Sequence, residues 1–468
     1  MFDHKTYYLQ RRMLLKKGVK SGLILFLGNE ESPMNYPANT YPFRQDSSFL
    51  YFFGLDSPGL AAVVDVEAGT DTVFGDDITL EDVIWMGELP KLKDRAAAAG
   101  VFLTAPLSKL EETIAEAKKQ NRPIHYLPPY RPETMTRLSG LLGTPPQETK
   151  KNVSTELIRA VVAQRATKSE GEIAEMEKAL AVTHKMYLSA MTSVRPGLYE
   201  SDIVGAVDGI ALAQGLQTAF PTILSMNVHV FHNPHHHNKL QKGRLLVIDS
   251  GACSPLGYAS DITRTIPVSG VFTQKQREVY EIVLKGQLQA IASMKPGIKY
   301  KDIHLATAKT MASGLKNLGL MKGDIEEAVA AGAHALFFPH GLGHMIGLDV
   351  HDMEALGENY VGYDETVSRS PQFGLAYLRM ARELRPGFVL TVEPGIYFIP
   401  ALIDKWKSEK RLAAFIDYAK VEDYRDFTGI RIEDNVLITK DGSRVLGRPI
   451  PKKVRDVEKT MAAAKIKR

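Results

Sequence analysis

Residues 242–251 read KGRLLVIDSG and residues 386–395 read PGFVLTVEPG. In each, a turn glycine (Gly243, Gly387) opens a β-rich run and an acid stands six positions on, at Asp249 and Glu393. A second glycine lies two residues beyond each acid, at Gly251 and Gly395. Short aliphatic runs bounded by glycine turns predict buried strands. Each run is followed by another acid in a strand-like segment: Asp261 in DITRTIPV and Glu433 in RIEDNVLIT. The C-terminal part of the chain is therefore expected to consist of two related halves. Each supplies two carboxylates to a site at their junction, a common place for ligand sites.

A second repeat supports the first. SVRPGLYESDI (193–203) and SMKPGIKYKDI (293–303) share a Ser-hydrophobic-basic-Pro-Gly core and a downstream Asp-Ile. The Pro-Gly is expected to end one helix, and Ser201 or Lys301 to lead into the next. Upstream, Ser169-Glu170-Gly171-Glu172 fits a capping box ahead of an apolar-periodic helix over Ile173–Met191. The domain boundary is placed near Lys168, giving domains 1–167 and 168–468. In the first, Gly22–Leu27 and Ala61–Val64 read as buried strands and Ala96–Ala99 as helical. The expected architecture is an N-terminal α/β domain followed by an α+β domain with a curved antiparallel sheet covered by helices.

Composition narrows the function. At 468 residues the chain exceeds a single core. A net charge of +4, with no basic stripe interleaved with aromatics, argues against nucleic acid. The basic run Lys452–Arg468 reads as a solvated helix. Cys253 is the single cysteine, so no intramolecular disulfide forms and a reducing compartment is expected. The N-terminus has no apolar h-region, and GLILFLG (22–28) is too short to span a bilayer. A cytoplasmic protein without membrane contact is expected.

The acids are the chemical signal. Asp249 and Asp261 lie on strands that a Gly-rich hairpin can bring to one face. Two carboxylates held that close cannot both stay ionised without a cation. His340-Gly341-Leu342-Gly343-His344 and His351-Asp352 place three histidines in twelve positions, among glycines that permit close backbone approach. Glu433 and Asp434 alternate along a strand, so one is expected inward and one outward. Four carboxylates and one imidazole (Asp249, Asp261, His344, Glu393, Glu433) suit a pair of hard divalent ions better than one structural zinc. Such ions activate water for hydrolysis. His235, His236 and His237 read as an exposed loop, since adjacent side chains of an extended segment diverge. Cys253 reads as a packing residue.

At these residues the chain resembles the pita-bread metallopeptidases: aminopeptidase P, prolidase (Xaa-Pro dipeptidase) and, more distantly, methionine aminopeptidase. YPFRQDSSFLYFFGLDSPG (41–59) resembles the N-terminal domain shared by the first two; HGLGHMIGLDVHD, DITRT, TVEPGIY and GIRIEDN resemble their catalytic motifs. The resemblance implies a pseudo-twofold catalytic domain with Asp249 as terminal ligand of one ion and Asp261 and Glu433 bridging both. His344 and Glu393 complete the second ion. It further implies a metal-bridging hydroxide as nucleophile, with Glu393 shuttling the proton. His232 and His351 would contact substrate and intermediate, His340 would lie in the substrate pocket or behind it, and Arg431 would support the site. Arg379 matches the prolidase arginine that holds a dipeptide carboxylate, the reason to want a bidentate guanidinium there. That position and the long 394–432 stretch favour an Xaa-Pro dipeptidase; the alternative is an Xaa-Pro aminopeptidase acting on longer peptides. A remote alternative is a metal-free pita-bread binding protein or creatinase-like hydrolase. The implied cofactors are two divalent ions, Mn²⁺ first, with Co²⁺ or Zn²⁺ as substitutes. The implied partners are small proline-containing peptides and further copies of the chain, as a homodimer or higher oligomer. Asn233, where the family often has Tyr, and the run His235–His237 depart from its pattern.

Overall fold

The computed structural model describes residues 4–466. The chain divides into two compact units, residues 1–165 with 353–360 and residues 166–352 with 361–468.

The first unit runs α1 (His4–Gly18), β1 (Leu23–Leu27), α2 (Ser47–Phe53), β2 (Ala61–Asp65), β3 (Asp71–Phe74), α3 (Leu80–Met86), α4 (Leu92–Ala98), β4 (Leu103–Ala105), α5 (Lys109–Lys119), β5 (Ile124–His125), α6 (Pro132–Leu142), with α7 (Thr155–Ala166) at its end. Its sheet has the order β4-β3-β2-β1-β5. The three central strands pair antiparallel, and β4 and β5 join as parallel edges. Helices on the sheet explain the uninterrupted apolar runs LILFL (23–27) and AAVV (61–64). Leu23, Leu25, Ala61 and Val63 form one core cluster with Leu110, Ile114 and Leu138. Helix α3 is different. Thr79 and Asp82 cap it reciprocally, yet it buries none of its own side chains, and Leu80, Ile84, Trp85 and Met86 are exposed.

The second unit shows the internal repeat directly. Helices α8 (Glu170–Ser193) and α9 (Glu200–Ala213) precede β6 (Ile223–Ser225), β7 (Leu245–Ser250) and β8 (Ile262–Pro267), an antiparallel sheet. Helices α10 (Gln274–Ser293) and α11 (Tyr300–Asn317) precede β9 (Val389–Val392), β10 (Gly395–Tyr397), β11 (Gly429–Arg431), β12 (Asp434–Ile438) and β13 (Ser443–Val445). The Ser169–Glu172 capping box is present at the start of α8. The helices after the Pro-Gly turns start one residue earlier than Ser201 and Lys301, at Glu200 and Tyr300. Tyr199 and Lys299 make the reason plain, since each forms a single β-bridge, to Lys239 and to Glu383, that halts the chain before it coils. Gly243 and Gly387 both take positive φ, 83° and 86°, as the turn before each strand requires.

Register assigns the equivalences. Asp249 faces Thr263 across β7 and β8. On the other side Val392 faces Asp434 and Gly395 faces Arg431, which puts Glu393 opposite Glu433. Tyr187 Oη donates to the carbonyls of Ile248 and Ile262, while Gln287 Nε2 donates to those of Val392 and Ile432. The equivalent of Glu433 is therefore Thr263, and the equivalent of Asp261 is Arg431. This corrects the expectation of two matched acid pairs: both halves give two carboxylates, but the second acids occupy different rungs. Thr263 and Glu433 meet in an antiparallel bridge, Glu433 N donating to Thr263 O at 3.0 Å, and this joins the halves.

Two further expectations change. The helix Val454–Ile466 is not merely solvated, because Val454, Val457 and Met461 are buried and the helix packs against α8. Asp434 does not face outward into solvent. It is buried on the far side of β12, where it accepts from Arg264 Nη2 at 2.7 Å, Lys452 Nζ at 2.6 Å and Gln287 Nε2 at 2.9 Å. Burial works against its charge, but Arg264 and Lys452 more than offset this and hold its pKa below the ordinary carboxylate value. Asp434→Ala leaves Arg264 buried without its carboxylate and is expected to cost about 3–5 kcal/mol of stability, read by denaturant unfolding. Because the folded pKa is depressed, the wild-type contribution is present above the unfolded value of about 4 and is lost as pH falls through the folded value. The difference between wild type and variant should therefore shrink in acid. A gap that stays constant with pH would refute the assignment.

Candidate metal centre

The site lies where the two halves meet. Asp249 sits near the end of β7, and Asp261 immediately precedes β8. Asp261 is two residues before Thr263, the partner of Asp249, so the two acids are diagonal neighbours on one sheet face. Glu393 follows β9 and Glu433 precedes β12. His344 arrives on the segment 342–346, which runs along β9: Thr391 N donates to His344 O at 2.9 Å and Glu393 N to Leu342 O at 2.8 Å. Glycine is required for this approach. A Cβ on Gly343 would lie 2.1 Å from Thr391 O.

Asp261, His344 and Glu433 each bring a ligand atom within 4.8 Å of the others, and all three are buried. Glu393 joins them: His344 Nε2 is 3.5 Å from both Asp261 Oδ2 and Glu393 Oε1, too long for an ordinary hydrogen bond. His344 Nδ1 faces Met345 O at 3.0 Å, so this nitrogen carries the proton and the Nε2 lone pair points at the carboxylates. Asp249 is held at one oxygen by Arg431 Nη2. Burial, and then the charge of Asp249 on Asp261 and of Asp261 on Glu433, push Asp261 and Glu433 well above the usual carboxylate range; burial raises Glu393 as well. Asp249 Oδ1, Asp261 Oδ1 and Glu433 Oε1 are buried with no hydrogen-bond partner. Orphaned carboxylate oxygens around an imidazole lone pair fit hard divalent cations, which would satisfy each of them.

Arg431 organises the surroundings. Its guanidinium reaches Asp249, Thr263 Oγ1 at 3.1 Å and Tyr397 Oη at 3.2 Å, and Thr263 Oγ1 donates to Glu433 Oε2 at 2.7 Å. Tyr397 Oη in turn lies 2.9 Å from His340 Nε2, and His340 Nδ1 lies 2.8 Å from Gly341 O. Both ring nitrogens of His340 thus have protein partners, which makes it a support for Tyr397 and Arg431. Burial, then the Arg431 charge, push its pKa down to about 3, so the ring is neutral. His351 stacks edge-on against His344, ring centroids 4.3 Å apart. His232 is exposed on the loop before β7, next to Phe231, whose ring packs on Tyr397 at 4.6 Å and His340 at 5.5 Å. Arg379 is half-buried, and its charge bears on both His232 and His340. His235 and His237 lie on one side of an exposed loop, ring centroids 5.7 Å apart, while His236 turns back to Leu224 O.

Thr263 and Tyr397 are not among the residues singled out from the sequence. Thr263 and Tyr397 stand two and four residues after Asp261 and Glu393, where strand alternation returns a side chain to the site face; that periodicity was the available signal.

Comparison with known proteins fits this geometry. The model for metallopeptidase family M24 matches residues 174–440, and that for the aminopeptidase P N-terminal domain matches residues 7–125. A human Xaa-Pro dipeptidase is 30% identical over 99% of this chain and 93% of its own length. A probable Xaa-Pro aminopeptidase of Sordaria macrospora is 32% identical over 94% and 91%. Among solved structures, Pseudomonas aeruginosa aminopeptidase PepP superposes with a TM-score of 0.82 at 26% identity, covering 99% of both chains. Zinc-substituted Escherichia coli aminopeptidase P, in complex with product, gives 0.81 at 28% identity over 98% of both.

Adding Mn²⁺ to metal-stripped protein should raise its melting temperature, because a ligand that binds only the folded state stabilises it. Arg431→Met should weaken metal affinity about 10- to 100-fold by releasing Asp249 and Thr263. Calorimetric melting against metal concentration reads both; a temperature that ignores metal would remove the case for this centre.

Proposed function

The chain belongs to metallopeptidase family M24, and on that footing we propose that it is a dinuclear exopeptidase cleaving Xaa-Pro bonds, with the dipeptide as preferred substrate. The observation that carries the reading is the set of four carboxylates gathered around His344, with Asp249, Asp261 and Glu433 buried and one oxygen of each left for cations. Two bound divalent ions, Mn²⁺ first, supply an activated water and a polarised carbonyl. The functional division follows the boundary near Lys168: an aminopeptidase P-like domain over 1–167 and the catalytic domain over 168–468.

The chain's own residues account for the rest. Asp249, Asp261, His344, Glu393 and Glu433 hold the ions. Glu393 is the most accessible carboxylate of the set, its side chain 18% exposed, and its raised pKa suits a group that takes and returns a proton. His351, packed edge-on against His344, and the exposed His232 donate to the substrate. Arg379 reads the free carboxylate of a dipeptide as a fork-shaped donor.

The curated relatives include both dipeptidases and aminopeptidases at similar identity, so Arg379 is the discriminating element. Initial rates on Xaa-Pro dipeptides and on Xaa-Pro-Yaa tripeptides should favour the dipeptide. Arg379→Ala should reduce dipeptide cleavage about 100-fold with little effect on tripeptides, the loss expected of a charged hydrogen-bond pair. Equal losses on both would make Arg379 a structural residue and favour the aminopeptidase. No hydrolysis with Mn²⁺, Co²⁺ or Zn²⁺ would sink the peptidase reading altogether.

Among the described residues no helix is long and apolar enough to cross a membrane, and we place the protein in the cytoplasm. The exposed apolar side of α3 suits a second copy of the chain, giving a homodimer or larger oligomer. Sedimentation of wild type against a Trp85→Glu variant tests this; a monomeric wild type would refute it.

A further inference from the structure

Lys168 and Asp352 form an ion pair at 2.8 Å with both side chains 1% exposed. They are far apart in sequence, and neither belongs to the metal-binding set. Asp352 follows His351 directly. Its backbone N donates to Met345 O at 2.8 Å, the same carbonyl that faces His344 Nδ1 at 3.0 Å. Asp349 N lies 3.3 Å from Asp352 Oδ1, and Gly347 N donates to Asp349 O at 3.0 Å, so the loop 345–352 folds around this carboxylate. The packing is tight: a Cβ on Gly347 would meet Asp352 Oδ2 at 2.5 Å and Lys168 Cε at 3.0 Å. Lys168 is itself fixed, its backbone N donating to Gly387 O at 2.8 Å at the turn into β9.

Burying such a pair is costly, and a well-packed apolar pair is often as stable or more so. What the pair adds is a fixed geometry for the loop. We propose that Lys168 is a positioning residue: through Asp352 it fixes the His351 imidazole against His344, in register with the metal centre. This rests on the role given to His351 in substrate contact. A charged hydrogen bond at the base of a short loop restricts its rotation more than apolar packing would, and displacement of about 1 Å at a reacting group costs on the order of 100-fold in rate.

The test is a double-mutant cycle on the metal-loaded enzyme with an Xaa-Pro dipeptide. Lys168→Met should lower kcat about 100-fold with KM and bound-metal stoichiometry unchanged. In the His351→Ala background the same change should cost nothing more, because its target is gone. Asp352→Asn, nearly isosteric, serves as the second variant should Lys168→Met fail to fold, and the same non-additivity with His351→Ala is expected. Additive losses, or a loss of metal in parallel with kcat, would overturn the proposal and make the pair general structural support. Full activity in His351→Ala alone would instead refute the role of His351, and the proposal with it. Loss of all hydrolysis in the wild type would count against the peptidase reading, not against the pair.

Discussion

Repulsion among buried carboxylates governs this molecule. Asp249, Asp261, Glu393 and Glu433 are gathered from both halves of one unit, and three of them keep an oxygen that no protein group satisfies. A fold does not hold such a cluster for stability, since each uncompensated buried charge costs several kcal/mol. The surrounding structure is arranged to make it tolerable. Arg431 places one cation beside Asp249, Thr263 donates to Glu433, and His344 aims a lone pair instead of a proton at the group. The remaining deficit is what divalent ions would fill, so the site couples metal affinity to folding.

Much of this was legible in the sequence, because the constraint acts on residue types at fixed spacing. The glycines before each strand, the acid six positions on and the histidine set among glycines are local signals, and each marks where the backbone must turn or approach closely. Gly343 illustrates why: the strand-like path of His344 along β9 leaves no room for a Cβ. The N-terminal strands and the α8 capping box were readable for the same reason, since burial and end-capping leave local traces.

What was not legible depended on register and on partners distant in sequence. Asp434 carries no sign that Arg264 and Lys452 will meet it, so alternation alone sent it to solvent. Lys168 and Asp352 are separated by most of the catalytic unit. The basic tail looked solvated because its charge is visible in sequence while the groove that takes Val457 is not. The common cause is that a buried polar residue is specified by its partner, and one chain read in order does not show which partner that is.

The departure from symmetry is itself informative. With Glu393 equivalent to Asp249, ladder register makes Glu433 the counterpart of Thr263 and Arg431 the counterpart of Asp261. A strictly symmetric site would carry like residues at 261 and 431 and again at 263 and 433. Placing an acid at all four rungs would add negative charge with nothing to offset it, whereas the observed exchange puts a guanidinium within reach of Asp249 and a hydroxyl donor within reach of Glu433. Two of these four positions thus carry acids, and the other two carry the guanidinium and the hydroxyl that hold Asp249 and Glu433. The same exchange breaks the equivalence of the two halves as seen by a substrate. His344 and His351 lie on the Glu393 side, where they give the site a direction that the carboxylates alone do not provide.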